Sequence, residues 1–504
     1  MENKLPKIIS IRRNAVANYI GTFCQAILGF LFIPFYIKYL GIESYGIIGF
    51  TVSLNALLSI ADLGLSATLS REFSRYSALP DSARQMRGLL KTLQTVYWAI
   101  SFLVGLIIVA LAPLIARYWI NPGSLNVAEV QDAVMLMGMT AAMQGPMILY
   151  LGGVYGLQRH VLGNAINIVL AVLRSGGVVL ALALFTSTLH TFFVFQFGVA
   201  SMGALCTGMT LWWLLPSTGI PSHFQFSQLK SVWRFAAGMS ITSILGLILF
   251  QLDKIILVKI LPLKIFGYYA VASTAAAAVI YLGNPLFKTV LPQYTQLYAV
   301  GDHEGLKTIY RVSCRLNAII MVPTVIILAL FSKEALLIWT QNPDIADHAH
   351  LMLSLLVIGY GLNQLACLPF ALQIASGWVK LGVYTNMAAV LLIVPALVVA
   401  TRFYQGVGAA SVWIALNCIY AFIHVSILHT RILKGEAWHF YIGILWPLLL
   451  AIGIGLAGRY FLSAVAGIWI VVSVSLLWTI VIVTSILATP DLRNQVPLLV
   501  RKYR

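Results

Sequence analysis

Arg174 stands in AVLRSGGVVLAL, near the middle of an apolar run long enough to cross a bilayer. A charge at the centre of a membrane helix costs about 2.5–3.5 kcal/mol on insertion scales, and is kept where it faces a partner, a cavity or a substrate. A guanidinium is suited to phosphate, to which it donates two parallel bonds. The bland alternative is an internal ion pair joining two helices. A second such place is Leu245–Ser273, LGLILFQLDKIILVKILPLKIFGYYAVAS, where Asp253 and Lys254 stand side by side. Neighbours on a helix point about 100° apart, so the two are expected to pair poorly with each other and Lys254 to line a cavity. Asp253 is then either its counter-charge on another helix or a carboxylate that couples to a cation.

Asp62, in LLSIADLGLSATLSREFSRY, is the other acid within an apolar span. It is a candidate for proton or cation coupling, or a cap for a helix break before Gly64. Arg71 and Arg75, four apart and so on one helix face, lie at the inner end of the same segment and suit either a phosphate or a topology signal. Lys288 falls between Pro285 and Pro292, which predicts a kinked or broken helix lining a cavity. With Arg311 and Arg315 it would form a matching basic mouth in the second half. His160, His190, His424 and His429 are scattered, and no metal set or cofactor site is expected. No P-loop, HExxH or GxSxG is present, and no loop carries an acidic cluster, so no catalytic residue is nominated.

The elements that must hold these charges are membrane helices. Of 504 residues, 60% are hydrophobic and 9% charged, where soluble chains run to about a quarter charged. The net charge of +17 would suit a nucleic-acid binder, but this hydropathy does not. The five cysteines sit in or beside apolar runs without metal-like spacing and read as small core residues. Met1–Asn14 is polar and basic and the first apolar run is full length, so no signal peptide is expected. About fourteen spans are predicted, at 15–38, 45–69, 93–118, 133–156, 161–185, 190–215, 235–260, 266–297, 313–331, 351–374, 381–403, 408–430, 440–461 and 467–488. With the N-terminus inside, about 23 Lys and Arg fall on cytoplasmic connections and about 7 outside, so both termini are expected in the cytoplasm.

The chain also repeats. Phe32–Phe50, FIPFYIKYLGIESYGIIGF, matches the later stretch without a gap: Lys38 falls on Lys259 and Gly46 on Gly267. Leu90-Lys91-Thr92 answers Leu306-Lys307-Thr308, and Gly156-Leu157-Gln158 answers Ala371-Leu372-Gln373. Segments one to six therefore correspond to seven to twelve in the same orientation. That predicts two parallel six-helix bundles, 1–215 and 234–434, a cytoplasmic linker at 216–233, and two further helices with a tail at 435–504. Transporters commonly bind substrate between such repeats, near the midplane.

These residues carry a resemblance. Asn18-Tyr19-Ile20-Gly21, Pro34 through Tyr39-Leu40-Gly41, Ser44-Tyr45-Gly46, Ala61-Asp62-Leu63-Gly64-Leu65 and Ser70-Arg71-Glu72 resemble the opening of Wzx-type polysaccharide flippases. Gln251 through Leu257 and Phe266-Gly267-Tyr268-Tyr269 agree in the second half. The resemblance, over most of residues 8–430, is to the multidrug/oligosaccharidyl-lipid/polysaccharide exporter superfamily. It implies an all-α, MATE-like fold of two six-helix bundles around a central cavity. It implies an undecaprenyl-diphosphate-linked oligosaccharide as substrate, moved across the cytoplasmic membrane by alternating access and driven by H⁺ or Na⁺. A polysaccharide polymerase and a chain-length regulator would be its partners, with no nucleic acid. Arg174, Lys254, Lys288, Arg71, Arg311 and Arg315 are then the candidate headgroup contacts, and Asp62 and Asp253 the candidate couplers. Two rivals stay open: a cation/drug antiporter of the same superfamily, favoured by a more acidic cavity, and a membrane polymerase or glycosyltransferase, favoured by a large loop or loop acids.

Overall fold

The computed structural model describes residues 9–62, 64–77, 79, 82–217, 223–226, 249–462 and 468–487. Most of the expected linker, the first half of the seventh segment with Lys230 and Arg234, and the basic tail beyond residue 487 lie outside them. Among the described residues the secondary structure is helical, with no strand. Nine helices among the described residues are long and apolar enough to cross a membrane, and the pair Asn18–Leu31 and Ile33–Asn55, bent by 44°, gives a tenth. One of the nine, Lys380–Arg431, runs 52 residues and is broken at Gln405 (φ 51, ψ −136). A crossing needs about 20 residues, so this stretch supplies the two expected at 381–403 and 408–430. The last expected segment holds the shorter apolar helix Val472–Ile486.

The chain divides into two compact units, Met1–Gly267 and Tyr268–Arg504. The first begins with α1 (Ile9–Leu31) and α2 (Ile33–Ala61). Gly41 turns the chain inside α2 with φ 81 and ψ 169, a conformation open to glycine, between the first two expected segments. The second expected segment breaks at Asp62–Gly64, and α3 (Leu65–Tyr76) restarts it. Then come α4 (Ala83–Leu114), α5 (Val127–Gly156), α6 (His160–Val172), α7 (Val178–Leu184) and α8 (Leu189–Leu214). A π-turn, Leu173–Gly177, joins α6 to α7. Residues 249–260 form α9.

The inner core of this unit is built on α3. Leu65, Leu69 and Phe73 recur every four residues on one face and are buried against Leu89, Leu90 and Leu93 of α4 and Leu149, Tyr150 and Val154 of α5. Gly152 and Gly156 of α5 lie against the backbone of Ser66 and Ser70, leaving no room for a methyl group. The boundary between units follows α9, not the 216–233 linker, for a local reason. Trp119 Nε1 donates to Ile255 O (3.2 Å), Asn121 N to Val258 O (3.4 Å), and Lys259 Nζ sits 4.7 Å from the Trp119 ring. The sequence repeat is visible here as a reciprocal contact. Gly46 abuts Leu263 and Gly267 abuts Ile42, and Ile42 and Leu263 are themselves matched by the repeat.

The second unit contains α10 (Leu263–Val300) beyond Gly267, α11 (His303–Leu330), α12 (Ser332–Thr340), α13 (Pro343–Leu365), α14 (Cys367–Ala375), α15 (Val379–Cys418), α16 (Val425–Arg431), α17 (Glu436–Phe461) and α18 (Ile468–Leu487). Pro285 and Pro292 both lie inside α10, which is continuous through them; each removes one helical donor. Starts are capped by side chains where the sequence supplies them: Asp302 accepts from Gly305 N (2.8 Å), and Asn342 from Asp344 N (3.0 Å) with Pro343 behind it. Helix α17 runs parallel to α11. Arg311 meets Glu436 at one end, Leu330 meets Gly455 along the way, and α12 brings Glu334 to Arg459 at the other. Of the cysteines, Cys314 is core while Cys206 is exposed on the outside of α8.

Candidate functional site

Arg174 is the second residue of the π-turn Leu173–Gly177, in the apolar span His160–Leu184. An inserted residue of this kind costs hydrogen-bond geometry and is often found at functional positions. The side chain is half-buried, and its Nε is shut off from solvent with no hydrogen-bond partner. Among the described residues no carboxylate pairs with it. A cation kept deep in an apolar helix without a counter-charge is costly, and the cost points to a ligand.

Two helices hold this turn. Tyr36 Oη donates to Ser175 O (3.1 Å), and Gln196 Nε2 donates to Arg174 O (3.0 Å). Gly176 and Gly177 let the rings of Phe32 and Phe195 press onto the backbone from either side. Tyr36 and Gln196 were not legible as partners of this turn, since nothing in their local sequence marks them.

Asp253 and Lys254 of α9 are both buried, at 6% and 9% exposure. Lys254 Nζ lies 3.7 Å from Asp253 Oδ1, close enough for a charge contact but too long for a hydrogen bond. Both charges are nearly buried, which strengthens any attraction between them.

Asp62 accepts three hydrogen bonds: from Ser66 N (3.0 Å), Ser66 Oγ (2.7 Å) and Tyr97 Oη (2.8 Å). It thereby caps the start of α3 after Gly64, which takes φ 71. Arg71 and Arg75 are exposed on α3, at 4.0 and 3.6 Å from the carboxylate of Glu72. Lys288 is exposed on α10. Arg311 donates through Nε and Nη2 to the two carboxylate oxygens of Glu436 (2.6 Å each). Arg315 lies one turn on, its stem against Gly443 of α17. Arg311 is thus spent at least partly on fastening α17, a use the sequence did not reveal because Glu436 lies outside the repeat. No group of three or more metal-ligating side chains occurs among the described residues.

The family described as polysaccharide biosynthesis protein matches residues 11–297, more than half of the chain. The chain belongs to that family. A second family, MatE, matches residues 239–399. Among relatives of this polysaccharide biosynthesis protein, a Shigella flexneri protein described as "Putative O-antigen transporter" is 20% identical over 84% of this chain and 98% of its own length. A Bacillus subtilis (strain 168) protein described as "Uncharacterized membrane protein EpsK" is 22% identical over 71% of this chain and 70% of its own. The fold is that of the lipid II flippase MurJ in an inward closed conformation, with a TM-score of 0.70 at 11% identity over 96% of this chain and 99% of that one. It is also that of an inward-facing multidrug-resistance MATE transporter of the MOP superfamily, with a TM-score of 0.59 at 14% identity over 88% and 96%.

Proposed function

We propose that this member of the polysaccharide biosynthesis family is a flippase. It moves an undecaprenyl-diphosphate-linked oligosaccharide from the inner to the outer leaflet of the cytoplasmic membrane, with both termini inside. The reading is carried by one observation: Arg174 is held in a membrane span with its Nε buried and, among the described residues, no acid paired with it. A diphosphate supplies the missing counter-charge through charge-assisted, two-pronged hydrogen bonds. Lys254 is the second deep contact in the same unit; Arg71 of the first unit and Lys288 and Arg315 of the second are each further proposed headgroup contacts. Arg311 drops out of that set, because Glu436 already takes two of its donors. The two acids within apolar spans, Asp62 and Asp253, are the proposed sites of H⁺ or Na⁺ coupling during alternating access. A polymerase and a chain-length regulator act downstream on the delivered units.

The match to MatE favours the antiporter reading as the alternative. An antiporter for cationic drugs needs an acid without a base as its deep charge, and this span offers the reverse. The test is the affinity of the purified full-length protein for farnesyl diphosphate, with farnesol and a cationic dye as comparisons. Arg174→Ala weakens farnesyl diphosphate binding at least about tenfold and leaves farnesol unchanged, since a hydrogen bond to a charged group is worth about 1.5–3 kcal/mol. Equal affinity for the two proteins, or tight dye binding relieved by the substitution of Asp253, counts against the proposal.

A further inference from the structure

We propose that Tyr36 and Gln196 are positioning residues that lock the Leu173–Gly177 turn in its π form and so aim Arg174. This rests on the reading of Arg174 given above and adds to it the device that presents the guanidinium. A π-turn takes backbone acceptors off the α-helical ladder, and an unpaired acceptor buried in an apolar span is costly. Here two successive carbonyls, Arg174 O and Ser175 O, are taken by side chains from two different helices. Tyr36 comes from α2 and Gln196 from α8, so the turn is held from both flanks. The rings repeat the arrangement: Phe32 reaches Gly176 and Phe195 reaches Gly177, where a methyl group would come within 3.0 and 2.9 Å of ring carbon. Tyr36 is itself fixed by an edge contact to Phe192, ring centroids 5.4 Å apart.

Removing the inserted residue's hydrogen bonds frees the span to wind as a regular α-helix. Each residue then shifts by about 100° around the axis relative to its present place, and Arg174 turns off its line. The arrangement therefore explains why RSGG follows an otherwise ordinary apolar run: arginine is the payload, and serine and the two glycines accept the clamp.

The test uses near-isosteric changes that delete the donors and keep the volume, Tyr36→Phe and Gln196→Met, singly and together, in the full-length chain. Arg174→Cys is placed in a background with the five native cysteines replaced, and its rate of reaction with a cationic methanethiosulfonate is measured. The double variant slows that rate at least about fivefold while its melting temperature stays near that of the parent, as expected when about one weak hydrogen bond per site is lost. An unchanged rate overturns the clamp, and so does a rate that changes only in step with a fall in melting temperature. In chains that keep Arg174, the double variant weakens farnesyl diphosphate binding about tenfold. If the thiol rate shifts while Arg174→Ala itself leaves farnesyl diphosphate affinity intact, the clamp stands and the substrate reading falls.

Discussion

At the scale of single residues, the sequence exposed the charges but not their company. Arg174, Lys254, Asp253 and Asp62 stand out because apolar runs surround them, and a charge there always needs a reason. What they touch depends on residues distant in the chain. Tyr97, which donates to Asp62, and Gln196, which holds the Arg174 carbonyl, belong to other helices and carry no local mark. Asp62 yields a prediction of its own. Its carboxylate caps α3 through Ser66, so Asp62→Ala should cost about 1–2 kcal/mol of stability, while Asp62→Asn, which keeps an acceptor, should cost less than half of that. Thermal unfolding of the purified protein in detergent measures both; identical melting points for Asp62→Ala and the parent would remove the cap from the account. Arg174→Lys keeps charge but loses the planar fork, and partial activity is expected of it.

At the scale of elements, periodicity and length located the helices, and special backbone positions set where they break. Gly41 and Gly64, both at positive φ, divide the first two spans, and Gln405 divides the 52-residue run. The two prolines of α10 lie within one continuous helix, where each lost donor is tolerable. The fastening of α17 to α11 was not legible, because Arg311 reads equally well as a substrate contact until Glu436 is placed beside it. That ion pair has a buried acid and a partly exposed base, and its second anchor joins Glu334 to Arg459. A double-mutant cycle over Arg311→Ala and Glu436→Ala should return a coupling of about 1–2 kcal/mol, below that of a fully buried pair because Arg311 is part-exposed. Additive effects within about 0.3 kcal/mol would show the pair to be incidental.

At the scale of the molecule, the doubled unit around Lys38 and Lys259 was the most legible feature, and its physical counterpart is the exchange of Gly46 on Leu263 for Gly267 on Ile42. Glycine at both places allows this close approach. Family membership and the shared flippase and MATE fold supply the frame, and the buried arginine supplies the claim. Its most direct test is made in cells whose own copy is deleted and replaced by Arg174→Ala, with lipid-linked intermediates and surface polymer measured together. The account predicts normal amounts of the protein in the membrane, unextended lipid-linked units accumulating on the inner face, and surface polymer lost. Polymer at the parent level, from a chain without that guanidinium, would contradict it.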